Sequence, residues 1–248
     1  MDAARELEGA VALITGGARN IGRAIAQALA AQGVRVVINA RTSAQAAQET
    51  VQSIEAAGGL AMVAMGDVTD PAQVEQMVAS VLARWGRIDI LVNNANTHGV
   101  KAFEDLTLED WRRTVTVALE APFLCMKACY PLMIRQGGGT IVNIGGSAGH
   151  MPYDGRVPVS AAKAGLAGMT RAMAYEGAKH GITVNCIAPG PVNTVRSVPS
   201  KSDPKRIPLQ RFAEADEVAH LVRMLCAPKG RYITGQTLHV NGGLYMNN

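Results

Sequence analysis

Short runs of β-branched and other apolar residues alternate with alanine-rich amphipathic stretches almost from the start of the chain. VALIT at 11–15, VRVVIN at 34–39, LAMVAM at 60–65, IDILVN at 88–93, TIVNI at 140–144 and ITVNCI at 182–187 read as buried strands. Helical periodicity fills 21–32, 43–57, 71–85, 108–136 and 158–179, with a further helix near 214–226. Strand and helix in strict alternation predict an α/β fold, a doubly wound parallel sheet of the Rossmann type with helices on both faces. No linker divides the chain and no fixed-period repeat stands out, so residues 1–248 are expected to form one domain.

Composition narrows the setting. Hydrophobic residues make up 48% and charged residues 18%, with no uninterrupted apolar run of about 18 residues, which predicts a water-soluble protein with a large core and no membrane span. The N-terminus lacks a basic region followed by a long apolar stretch, which argues against a secretory signal. The four cysteines, Cys125, Cys129, Cys186 and Cys226, form no CxxC pair, which points to buried free thiols in a reducing cytoplasm. A net charge of +4 from scattered basic residues, with only 4% aromatics, argues against a nucleic-acid surface. The five histidines show no metal-ligand spacing, so no metal is expected. The segment 191–208 carries four prolines and mixed charge after a strand, and reads as a mobile loop over a substrate.

The first strand runs directly into TGGARNIG, 15–22, and then into a helix. Such a turn lets the backbone approach a pyrophosphate, which then sits on unpaired N–H groups at the helix start. Taken alone, any tight strand-to-helix turn recruits glycine. The turn nevertheless resembles the TGxxxGxG turn of the short-chain dehydrogenase/reductase family. NNAN at 93–96, APGPVNT at 188–194 and YITGQTLHVNGG at 232–243 resemble that family's later motifs, in order. The resemblance covers nearly the whole chain and suggests a 3-oxoacyl reductase-like member.

It implies a dinucleotide held by Gly16, Arg19, Asn20, Ile21 and Gly22 in the turn, by Asp67 and Val68 at the adenine, and by Asn93 and Ala95 along the cofactor. Pro189, Gly190, Val192 and Thr194 would follow, the last two at the carboxamide, with Lys163 on the ribose. NAD-preferring sites place an acid at the end of the second strand, against the ribose 2′-hydroxyl. Asn39 stands there, followed by Ala40 and Arg41, and Arg19 lies in the turn. Two guanidiniums suit a 2′-phosphate, so NADP(H) is favoured over NAD(H), with solvated surface arginines as the alternative. Asn20 replaces a family glycine, which a positive φ would accommodate. Asn96 replaces another and adds a polar side chain near the cofactor path.

The family's reductases pair a tyrosine proton donor with a lysine one turn later, a serine that polarises the carbonyl and an asparagine that supports a water relay. Here YxxxK becomes VSAAK, with Val159 at the tyrosine position and Lys163 retained. IVNIGGSAG places Gly146 at the serine position and Ser147 one residue late; Ala118 stands at the asparagine position. Losing a general acid costs about 10²–10⁴ in rate, so the ordinary mechanism would be crippled. Tyr153 and Ser147, in the overhanging segment 147–158 with His150, Asp154 and Arg156, are the candidates to substitute, the alternative being that each is simply a loop residue. The alternatives are a carbonyl–alcohol oxidoreductase with a rearranged set of Lys163, Tyr153 and Ser147, a catalytically silent nucleotide-binding subunit, and a non-redox enzyme using the same pocket. The family resemblance also implies a homo-oligomer, a tetramer or dimer, assembled through 108–136, 158–179 and the C-terminal strand.

Overall fold

The computed structural model describes residues 6–97, 99–195 and 203–246. Its centre is a seven-stranded sheet in the order β3-β2-β1-β4-β5-β6-β7, parallel throughout. The strands are β1 (Val11–Ile14), β2 (Arg35–Ala40), β3 (Leu60–Met65), β4 (Ile90–Asn93), β5 (Gly139–Ile144), β6 (Ile182–Pro189) and β7 (Thr237–Val240). The first six lie where the apolar runs predict. Alternate side chains leave opposite faces, so Ala12 and Ile14 enter one core layer while Val11 and Leu13 enter the other.

Helices α1 (Asn20–Ala30), α2 (Ala44–Ala56) and α7 (Ala215–Cys226) cover the first layer. Helices α3 (Pro71–Trp85) and α5 (Ala121–Arg135), with part of α6 (Val157–Ala178), cover the second. Their limits follow local chemistry. In α3 the Asp70 carboxylate accepts hydrogen bonds from the backbone of Ala72 and Gln73, Pro71 opens the first turn, and Gly86 closes the helix at φ +73. Helix α4 (Leu108–Val115) starts with a Thr107–Asp110 capping box.

The predicted helix 108–136 is continuous but not uniform: a π-helical turn, Thr116–Glu120, joins α4 to α5 and contains the buried Ala118. The span Leu108–Arg135 is long and apolar enough to cross a membrane by length and average hydropathy, although it lacks an unbroken apolar run. Its apolar positions Cys125, Met126, Cys129 and Met133 are committed to the core beneath the sheet. All four cysteines are buried and free.

The sheet order reverses between β1 and β4, where β2 and β5 lie to either side. A crevice forms at such a switch point, outside the carboxyl ends of the strands, because successive connections depart in opposite directions. Of the loop 191–208, residues 196–202 lie outside the described residues.

Candidate functional site

A cleft of about 310 Å³ opens at this switch point. It gathers Gly16, Arg19, Asn20, Ile21 and Gly22 from the first turn, Ala95 after β4, Ser147 and Tyr153 after β5, Lys163 from α6, and Pro189, Gly190, Val192 and Thr194 after β6. A larger cavity, about 520 Å³, lies at the other ends of the strands, but its Arg87 is held bidentately by Asp89. Open parallel sheets take their ligands outside the carboxyl ends of the strands at the switch point, which favours the smaller cleft as the site of chemistry.

The first turn is built for close approach. Gly16 adopts φ +60, and a Cβ on Gly22 would stand 2.3 Å from the Gly16 carbonyl and 2.6 Å from the Asn94 amide. Asn20 adopts φ +50, the left-handed conformation that asparagine tolerates. Helix α1 then begins without a side-chain cap and without an acid in its first turn. Its open N–H groups, beside the Arg19 cation, suit a pyrophosphate.

Asn93, expected along the cofactor, and Asn39, at the end of the second strand, both turn inward. Asn39 accepts from the Gly16 amide at 3.3 Å and donates to the Ala64 and Gly66 carbonyls at 3.2 and 3.0 Å. It therefore shapes the turn from below rather than reading a ribose. Asn93 lies beneath the cleft, not along it: as the last residue of β4 it points into the buried layer and donates to Asn143 Oδ1 at 2.8 Å. Asn143 in turn donates to Thr170 Oγ1 at 2.9 Å. The cleft-facing residue is Asn94, which donates to the Thr15 and Gly16 carbonyls, both at 3.0 Å. Sequence reasoning passed over Asn94 and Thr15, although strand alternation gives adjacent asparagines opposite directions.

Three further residues stand outside the cleft. Arg41 is exposed and meets Asp67 at 3.4 Å, while the Val68 side chain belongs to the core. Asp67 also accepts from the Thr69 amide and hydroxyl at 2.9 and 2.7 Å. Burial works to raise its carboxyl, but the hydrogen bonds of Thr69 and the Arg41 charge together hold it below the ordinary value.

At the other end of the cleft, Lys163 is 4% exposed and donates to the Ile144 carbonyl at 2.8 Å. An ammonium carries three donors, so two remain for a ligand. Burial pulls its pKa down to about 8, against a partial opposing effect of Cys186. Gly149 brings the turn Ser147–Gly149 onto α6, since a Cβ there would lie 2.8 Å from the Lys163 carbonyl carbon. Val159, buried, lines the cleft one turn before Lys163. Gly146 also lines it, in extended conformation, and a Cβ there would meet open space.

The overhanging segment supplies hydroxyls in place of those absent. Ser147 Oγ and the Tyr153 hydroxyl are 2.8 Å apart. The Arg156 guanidinium lies 5.7 Å from the centre of the Tyr153 ring, and all three residues line the cleft. His150 instead packs on His239 and Tyr245, outside it. Among the described residues no group of three metal-binding side chains assembles.

A parallel sheet with this strand order and a glycine turn at its switch point match the doubly wound fold in which dinucleotides bind at that crevice. Residues 16–245 match the family model described as enoyl-(acyl carrier protein) reductase. The chain is 42% identical over 239 residues to a 3-oxoacyl-(acyl-carrier-protein) reductase of Synechocystis, covering 95% of this chain and 97% of the relative. It is 39% identical to the 3-oxoacyl-(acyl-carrier-protein) reductase FabG of Escherichia coli, covering 96% and 98%. Among solved structures, a dehydrogenase/reductase of Sinorhizobium meliloti superposes with a TM-score of 0.93 at 34% identity, covering 98% of each chain. A short-chain dehydrogenase/reductase of Serratia marcescens gives 0.91 at 32%, covering 96% and 99%. The protein belongs to the short-chain dehydrogenase/reductase family.

Proposed function

We propose that the protein is an NADP(H)-dependent oxidoreductase acting on a carbonyl–alcohol pair of the 3-oxoacyl or small-ketone type, with Tyr153 and Ser147 replacing the family's usual acid and donor. The observation that carries this reading is the 2.8 Å contact between Ser147 Oγ and the Tyr153 hydroxyl in the cleft that also holds Lys163. The 3-oxoacyl reductases among the relatives support the substrate class. Arg19 in the cleft and Arg41 at the edge of β2 support NADP(H), since each offers a guanidinium to a phosphate.

Bound in the cleft, a nicotinamide would supply or accept the hydride. Tyr153 gives its proton to the carbonyl oxygen as negative charge gathers there, and Ser147 donates to the phenolate that results. Solvent in the cleft then reprotonates the phenolate. Hydride and proton together make the alcohol. Lys163 would hold the ribose and stay out of the proton path.

A second reading, a silent nucleotide-binding subunit, draws on Val159 and Ala118, both apolar and buried where the family's tyrosine and asparagine are expected. Turnover of a 3-oxoacyl thioester with NADPH separates the two. Tyr153→Phe should lower kcat by about 10²–10⁴ while leaving NADPH affinity intact. Full activity in that variant rejects the relocated acid, and nucleotide binding without turnover in the wild type establishes the silent subunit. Assembly as a homo-oligomer belongs to the same proposal: Phe123 on α5 and Tyr175 on α6 are 51% and 88% exposed, apolar surface suited to a second copy. The four buried free thiols fit a reducing compartment.

A further inference from the structure

The side chains lining the cleft include three cations, Arg19, Arg156 and Lys163, and no carboxylate. Two of these have tasks in holding a nucleotide: Arg19 lies in the pyrophosphate turn, and Lys163 serves the ribose. Arg156 has none. It stands over the ring of Tyr153, and among the described residues its guanidinium forms no ion pair. Asp154, two residues before it, forms no ion pair with it, and the first turn of α6 behind it contains no acid.

A half-buried guanidinium facing a cleft without an acid attracts an anion, and its planar fork matches a carboxylate or phosphate bidentately. From this we infer that Arg156 is a specificity-determining residue that selects a substrate with a carboxylate near its reacting carbonyl, an oxo acid rather than a neutral ketone. The inference rests on the reading of the cleft as a carbonyl site. The Ser147–Tyr153 pair fixes where the carbonyl oxygen lies, and Arg156, in contact with the same ring, fixes where the negative group lies.

The test is binding without turnover. Acetoacetate and ethyl acetoacetate, which differ by one charge, are titrated calorimetrically into the protein saturated with oxidised NADP, where no hydride is available to the ketone. The wild type should bind the acid at least tenfold more tightly than the ester. Arg156→Gln should abolish that preference without weakening NADPH binding, Arg156→Lys should restore part of it, and Tyr153→Phe should keep it. Equal affinity in the wild type, failure of both ligands to bind, a preference that survives Arg156→Gln, or a loss of NADPH affinity in that variant each overturns the assignment. A carboxylate preference in a protein that reduces neither these compounds nor a 3-oxoacyl thioester with NADPH leaves the anion site standing and rejects the redox reading instead.

Discussion

Asn20 and Val195 pair through two hydrogen bonds across 175 residues of chain: the Asn20 amide donates to the Val195 carbonyl at 3.0 Å, and its Oδ1 accepts from the Val195 amide at 3.1 Å. The pair ties the turn at the start of α1 to the chain leaving β6, two walls of one cleft. Asn20→Gly keeps the positive φ and deletes both bonds. At about 0.5–1.5 kcal/mol for a net hydrogen bond, and at the low end where exposed, NADPH affinity should fall by about threefold to tenfold. Asn20→Ala adds left-handed strain of roughly 1–2 kcal/mol and should melt below Asn20→Gly. Equal melting temperatures for the two variants contradict the φ argument.

Arg41 meets Asp67 at 3.4 Å with most of its side chain in solvent, a contact that a 2′-phosphate would readily outcompete. Arg41→Ala should weaken NADPH by about tenfold to a hundredfold, in line with the roughly 1.5–3 kcal/mol of a charged hydrogen bond, and leave NADH nearly unchanged. Dissociation constants for both nucleotides, measured by fluorescence, decide the matter.

The space at Gly146 allows a rescue experiment. A Cβ there has open room and the backbone is extended, so Gly146→Ser should alter stability by less than about 0.5 kcal/mol. Combined with Val159→Tyr in the Tyr153→Phe background, it returns a phenol one turn before Lys163. Ketone reduction should rise by about 10² over the Tyr153→Phe parent. No gain means that the lysine geometry no longer supports the family's proton donor.

Burial sets Lys163 at about 8, below the 10.5 of an ordinary lysine. Between those pH values the unfolded chain carries a proton that the folded chain does not, so this group's contribution to stability rises with pH across that window. Below pH 8 the charged, buried side chain costs roughly 3 kcal/mol relative to high pH. Urea denaturation of wild type and Lys163→Met at pH 7 and pH 10 isolates the effect, because the buried Cys125, Cys129 and Cys226, which titrate in the opposite sense, are common to both proteins. The deficit of the wild type should shrink at the higher pH. A constant difference shows that the ammonium is better solvated than its surroundings imply.

Six strands were legible because fully buried parallel strands require continuous apolar runs, as in VALIT and TIVNI. The seventh strand, TLHV, is half-buried along its length and gave no such run; only the resemblance of its surrounding segment marked it. The π-helical turn at Thr116–Glu120 left no trace, since one extra residue per turn barely disturbs helical periodicity. Asn20's positive φ was readable from the residue type, whereas the inward turns of Asn39 and Asn93 depended on strand register. The Ser147–Tyr153 contact was foreseeable only as proximity within one loop; its 2.8 Å geometry arises from the turn at Ser147–Gly149.

Beneath the cleft, Asn93, Asn143 and Thr170 form a relay of side-chain hydrogen bonds from β4 through β5 into α6, completed by the Thr170 hydroxyl on the Leu166 carbonyl. Apolar neighbours can slide past one another, but directional partners in a dry interior have one register. The relay therefore acts as a rivet: the floor cannot shear, and whatever adaptability the protein has toward different molecules must come from the overhanging segments. Divergence among relatives that share this rivet would accumulate in the roof, leaving the foundation unaltered.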